Sequence, residues 1–229
     1  CSEVTRVDTE NRTVEVRSAD GVYTESYDAL LLSPGAKPLR PPIPGIDHPR
    51  IATLRSVQDA DRIRSLVGTG GSVVVVGGGF IGVELAENLR ERGLSVTLVE
   101  AMPHILPIFD TDMISLLEVE LRRNGVELAL GDGVAGFEEQ ENGGICVRLS
   151  SGRTVHGDFV ALAIGVRPDT AFLDGSGIAL GERGHILVNE YMQTNIPHVY
   201  AVGDAVLTRS VQTGKATALP LAGPANRQA

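Results

Sequence analysis

The sequence predicts a three-layer α/β fold, a parallel sheet covered by helices and accompanied by a β-meander, and three observations point to it. Short runs of β-branched residues alternate with amphipathic helical periods through the middle of the chain. Short alternating strands separated by polar turns open it, and a segment dense in Pro and Gly lies between the two regions.

The composition sets bounds. With 229 residues, 42% of them hydrophobic, the chain is long enough for one large or two modest globular domains. The longest apolar run is too short to span a bilayer, and the start lacks a basic region followed by an apolar one, so neither a membrane segment nor a secretion signal is expected. Cys1 and Cys146 are far apart and in no CxxC, which argues against a disulfide framework and a structural zinc site and fits a reducing, cytoplasmic setting. A net charge of −9 disfavours nucleic acid as a partner, although backbone groups can still bind phosphate locally.

The elements follow in order. Val4 to Val7, Thr13 to Arg17 and Val22 to Ser26 read as three strands of a meander, and Ala29 to Ser33 as an apolar strand. A meander this short needs a partner layer. The segment "GAKPLRPPIPGIDHP" then marks a boundary near residue 50. Val57, Ala60, Ile63, Leu66 and Val67 recur at helical spacing before Gly68. "SVVVV" reads as a parallel strand buried on both faces. Ile81, Leu85 and Leu89 share one face of the next helix, which stops at Gly93. "SVTLV" is a second strand. Asp110 reads as the N-cap of a helix with Met113, Leu116, Leu117 and Leu121 on its inner face, closed by Asn124 and Gly125. "VELAL" is a third parallel strand, completing a Rossmann half with right-handed crossovers. "GGICVRLSSGRTVHGDFVALAIG" is a hairpin returning into a buried strand, Phe159 to Ile164.

Gly77, Gly79 and Gly82 form G-x-G-x-x-G between a buried strand and an amphipathic helix. In that context the first glycine permits the tight turn, the second lets a pyrophosphate approach the backbone, and the third lets helix and strand pack closely. The helix N-terminus offers unpaired N–H groups and the positive end of its dipole. Glu100 ends the second strand about 20 residues further on, where a carboxylate accepts hydrogen bonds from ribose hydroxyls and repels a 2′-phosphate. Ala101, Met102, Pro103 and His104 supply no Arg to clamp such a phosphate. NAD(H) is therefore expected over NADP(H).

Several linked stretches resemble one family. "YDALLLSPGAKP", with Ser33-Pro34-Gly35 at its turn, "GGGFIGVE", "LAIGVRPDT", "TNIPHVYAVGDAV" and "ALPLAGPANRQA" are similar, in this order, to signatures of the FAD-dependent pyridine nucleotide-disulfide oxidoreductases. The branch most resembled holds coenzyme A-disulfide reductases, NADH oxidases and peroxidases, and persulfide reductases. The resemblance implies residues 51–188 as an NAD-binding domain, with 1–50 and 189–229 as parts of a FAD-binding domain. It implies that Ser33, Gly35, Gly203 and Asp204 contact FAD, with Asp204 accepting from the ribityl chain. Backbone N–H groups of Ala218 and Leu219, at a helix start, would face the flavin pyrimidine. Phe80 would cover the flavin face and swing aside for the nicotinamide, and Glu84 would stand beside flavin N5, these two being the catalytic pair. Ile81 joins the coenzyme loop, and Gly165 and Val166 supply backbone contacts near the nicotinamide. Arg167 is expected to tether the Asp169 turn.

The activity implied is hydride transfer from NADH to flavin and on to a small-molecule disulfide, persulfide, peroxide or oxygen, in an enzyme that is a homodimer. Ferredoxin or rubredoxin reductases share the same signatures and form the competing substrate reading. A non-catalytic NAD-sensing module is the alternative from another class, but flavin signatures have no use in it. The family's N-terminal FAD pyrophosphate motif, its redox cysteine and its dimer-interface domain are not in these residues, so the chain is expected to be an excised part that binds NAD(H) and holds FAD weakly or not at all. Cys1 is given no catalytic role, and Cys146 reads as a structural thiol. His104, His156, His185 and His198 show no metal-ligand spacing, and no nucleophile signature of a hydrolase is present.

Overall fold

The structure, a computed structural model, describes residues 2–68, 71–141 and 143–229. Cys1 lies outside them. The chain forms two compact units, one of Cys1–Lys37 with Val166–Ala229 and a second of Pro38–Gly165.

The first unit opens with β1 (Glu3–Asp8), β2 (Thr13–Ser18) and β3 (Gly21–Ser26), the expected antiparallel meander, followed by β4 (Leu30–Leu32) and β5 (Ala36–Pro38). The second unit runs β6 (Ile51–Thr53), α1 (Val57–Leu66), β7 (Ser72–Val76), α2 (Phe80–Glu91), β8 (Ser95–Glu100), α3 (Thr111–Arg123), β9 (Val126–Leu130), β10 (Val134–Glu139), β11 (Ile145–Leu149), β12 (Thr154–Gly157) and β13 (Phe159–Leu162). The first unit resumes with β14 (Val166–Pro168), β15 (Ile186–Leu187), β16 (Val199–Ala201), β17 (Val206–Arg209), β18 (Ala216–Thr217) and α4 (Ala222–Gln228).

In the second unit a five-stranded parallel sheet has the order β6-β13-β7-β8-β9. Strand alternation explains its two cores. Val73, Val75, Leu98, Phe159 and Ala161 face the helices, packing with Ile63, Leu85, Ala86, Leu89, Ile114 and Leu121. Val74, Val76, Val99, Val160 and Leu162 face the antiparallel layer β10-β11-β12, packing with Phe137, Ile145, Val147 and Leu149. A strand buried on both sides must be apolar throughout, which is why "SVVVV" shows no alternation. Ile46 also enters the second core, so the Pro-rich stretch after residue 37 travels with this unit. In the first unit the layer under the meander comes from later in the chain: Val7 and Leu32 pack with Leu173, Ile178, Ile186, Val199 and Val206.

The helix ends follow their capping chemistry. Ser56 and Asp59 form a capping box on α1. Gly93 donates to Arg90 O and Leu94 to Leu89 O, a Schellman closure of α2 that buries Leu94. Asp110 sits at the α3 N-cap position, but its side chain makes no cap hydrogen bond.

Two helix faces differ from the sequence expectation. On α2 the buried residues are Gly82, Leu85, Ala86 and Leu89, while Ile81 is exposed. On α3 they are Ile114, Glu118 and Leu121, with Leu117 partly buried, while Met113 and Leu116 point outward at 64% and 72% exposure. Apolar residues cover more than one face of α3, and the sheet selects the face that also carries Glu118. Strands β6 and β10 were not expected from sequence; β10 contributes few apolar side chains and is defined by its pairing with β11.

The β11–β12 hairpin is tied to the parallel sheet at Asp132. Ser151 donates its hydroxyl at 2.5 Å and its N–H at 3.0 Å to this carboxylate. The Ser151 hydroxyl is the main reason the Asp132 pKa lies below the ordinary carboxylate range, with burial opposing it. A group whose folded pKa is depressed adds stability above its unfolded pKa and loses it as pH falls through the folded value. The melting-temperature gap between wild type and Asp132→Ala should therefore be widest near neutrality and narrow below about pH 4. A gap independent of pH would contradict this.

Candidate functional site

The Gly-rich turn joins β7 to α2 in the second unit, and its glycines are held by three different geometries. Gly77 adopts φ +109°, and a Cβ there would lie 2.3 Å from Ala163 O. Gly82 is in the first turn of α2, where a Cβ would lie 1.8 Å from Gly77 O. Gly79 is the N-cap of α2, and a Cβ there would meet nothing within 4 Å. The outer two glycines are thus demanded by the protein's own backbone. The middle one faces open space. Gly79 makes no side-chain cap hydrogen bond, and no acidic residue stands in the first turn, so the positive helix end is uncompensated from within. These residues fit a pyrophosphate.

Glu100, at the end of β8, is half-buried beside this turn. Its Oε2 accepts from Gly78 N at 2.6 Å and its Oε1 from Met102 N at 2.8 Å. The carboxylate is thereby aimed across the turn, with lone pairs left on both oxygens. Gly78, not singled out by the sequence motif, is a third constrained glycine: a Cβ there would lie 2.8 Å from Ile105 Cγ2 and 3.1 Å from Glu100 Oε2. The unbroken "GGG" was the available signal.

Phe80, the first residue of α2, is half-exposed and meets Phe109 edge-to-face, with ring centroids 6.1 Å apart and planes at 88°. Ile81 and Glu84 are exposed on the same helix. Gly165 closes the second unit with φ +106°, two residues beyond Ala163, the neighbour of Gly77. Gly77, Gly79, Phe80, Ile81, Gly82, Glu84, Glu100 and Gly165 therefore belong to one compact unit, and Val166 belongs to the other.

In the first unit, β4 and β16 are parallel neighbours. Ser33 and Gly35 follow the carboxyl end of one, and Gly203 and Asp204 the end of the other. A Cβ on Gly203 would lie 3.8 Å from Ser33 Oγ, so the two loop starts adjoin. The space beyond the carboxyl ends of parallel strands is where such sheets commonly take ligands. Gly203 N donates to Gln228 Oε1 of α4 at 2.8 Å. Ala218 and Leu219 do not start that helix, which begins at Ala222. Pro220 explains this, because a residue preceding proline is driven from helical to extended backbone. Asp169 is tethered by Lys37 at 2.5 Å, whereas Arg167, expected in that role, is exposed.

Among the described residues no group of three or more His, Cys, Asp or Glu side chains is placed to hold a metal ion. Nor is any helix among them long and apolar enough to cross a membrane.

Comparison with known proteins agrees with this architecture. The NADH oxidase of Enterococcus faecalis is 36% identical over 98% of this chain and 51% of its own length. The reduced CoADR-RHD of Bacillus anthracis superposes with a TM-score of 0.93 at 45% identity, covering 99% of this chain and 41% of that one. The water-forming NADH oxidase of Lactobacillus brevis, bound to NADH, gives 0.92 at 32% identity, covering 99% of this chain and 50% of that one. The chain thus spans about half the length of the curated relatives it matches. Residues 1–229 match the family model described as pyridine nucleotide-disulphide oxidoreductase, and the chain belongs to that family.

Proposed function

We propose that this chain is the NADH-binding part of an FAD-dependent NADH oxidoreductase that passes hydride from NADH to flavin and on to a disulfide, persulfide, peroxide or oxygen. The observation that carries the reading is the asymmetry of the glycines, two closed by backbone contact and one open beside Glu100.

On this reading the open face of Gly79 and the N-terminus of α2 hold the coenzyme pyrophosphate, and Glu100 accepts from the adenosine ribose. NADH binding to a relative of the same fold supports the coenzyme. Phe80, Ile81, Glu84 and Gly165 line the nicotinamide end. Ser33, Gly35, Gly203, Asp204, Ala218 and Leu219 are the flavin-side residues, and Glu84 is the charged group at the nicotinamide end. The cofactors, when bound, supply the hydride chemistry; the protein residues bind and orient them. The functional division at residues 50 and 188 is part of the same proposal, as is a cytoplasmic setting. The range of acceptors is supported by relatives named NADH oxidase, coenzyme A disulfide reductase and persulfide reductase.

The test is a parallel titration of wild type and Glu100→Ala with NADH and NADPH. Losing a charge-assisted hydrogen bond costs about 1.5–3 kcal/mol, so NADH should bind Glu100→Ala about 10- to 100-fold more weakly. NADPH, which the carboxylate repels, should change little or improve. Equal loss for both coenzymes would count against the assigned role.

A further inference from the structure

We infer that Glu118 is a positioning residue for the coenzyme site, holding the loop of residues 101–109 in the form that aims the Glu100 carboxylate. This rests on the NADH reading above and extends it to a residue that would not itself touch the ligand.

Glu118 lies on the inward face of α3 with its side chain only 7% exposed. A carboxylate so buried must be paired, and its partners are informative. Oε1 accepts from Ile105 N at 3.3 Å and stands 3.1 Å from His104 Nδ1. Oε2 lies 3.7 Å from Arg122 Nη1, one turn along the helix. Two of the three partners belong to the loop after β8.

The loop passes this anchorage on to the turn. Ile105 is fully buried, with its Cγ2 under Gly78. Leu106 is buried in left-handed backbone at φ +45°, and its N–H donates to Gly78 O at 2.8 Å. A leucine in that conformation persists only where its surroundings impose it, and Glu118 grips the preceding residue. Gly78 therefore has its carbonyl fixed by Leu106 and its N–H fixed by Glu100. The other oxygen of Glu100 takes the N–H of Met102, on the same loop. The loop's far end carries Phe109 to Phe80. Releasing the loop at Glu118 loosens both constraints that orient the Glu100 carboxylate.

The test compares NADH and NADPH binding by wild type, Glu118→Ala and Glu118→Asp, with melting temperatures. Ile145→Val, in the opposite core, serves as a destabilised control. Aspartate keeps the charge but falls short of Ile105 N, so it decides the matter even if the alanine variant does not fold. Both variants are expected to weaken NADH by about tenfold while changing NADPH much less, so that coenzyme preference shrinks; Ile145→Val should leave the preference unchanged. Unaltered NADH affinity in folded variants overturns the proposal, as does a loss shared equally by both coenzymes. A wild-type chain that fails to bind NADH overturns the functional reading with it, whereas wild-type binding with intact variants overturns the role of Glu118 alone.

Discussion

Gly82→Ala is expected to destabilise the second unit by about 3 kcal/mol or more and to abolish NADH binding. The added methyl would sit 1.8 Å from Gly77 O and 3.0 Å from Gly77 C, both backbone atoms in a turn that is itself pressed against Ala163. Relief requires α2 to move off the sheet or the turn to open. Overpacking a core costs roughly 1–3 kcal/mol when side chains can yield, and here only backbone is available. Because 1 kcal/mol shifts the melting temperature by about 2–4 °C in a protein of this size, the drop should be about 6 °C or more. Calorimetric melting of wild type and variant measures it. A variant with wild-type stability would mean that helix and turn are not packed as described.

Gly79→Val should do the reverse, removing coenzyme binding while sparing the fold. Its Cβ enters open space, and its backbone, at φ −75°, suits any residue. Valine is a poorer N-cap than glycine, but the chain gains from reduced freedom when unfolded, so stability should stay within about 1 kcal/mol. The side chain would occupy the space assigned to the pyrophosphate. NADH affinity should fall at least about 100-fold, a loss of roughly 2.7 kcal/mol. Together the two variants separate a glycine needed for folding from one needed for a ligand. If Gly79→Val bound NADH normally, the pyrophosphate would have to lie elsewhere.

Much of this was legible because backbone chemistry leaves strong marks in sequence. The all-apolar "SVVVV", the glycine triplet and the Gly93 and Gly125 helix stops each follow from a local requirement. What was not legible depended on tertiary choice. Met113 and Leu116 have the spacing of an inner helix face, yet the sheet takes the neighbouring face with Ile114, Leu117 and Leu121. Glu118 falls at helical spacing between Ile114 and Leu121, but burying a carboxylate is intelligible only once Ile105 N and His104 arrive from another segment. Phe109 likewise has no local signature, since its partner Phe80 lies on the preceding helix. For the last helix, the resemblance placed the start at Ala218 and Leu219, whereas it begins at Ala222; Pro220 keeps Leu219 in extended backbone.

Coenzyme binding at the Gly-rich turn is tested by a calorimetric titration of the chain with NADH and, in parallel, NADPH. Saturable NADH binding at one site per chain is expected, with NADPH at least about tenfold weaker because Glu100 would face the added phosphate. No binding of either coenzyme, or indifference between them, would contradict it.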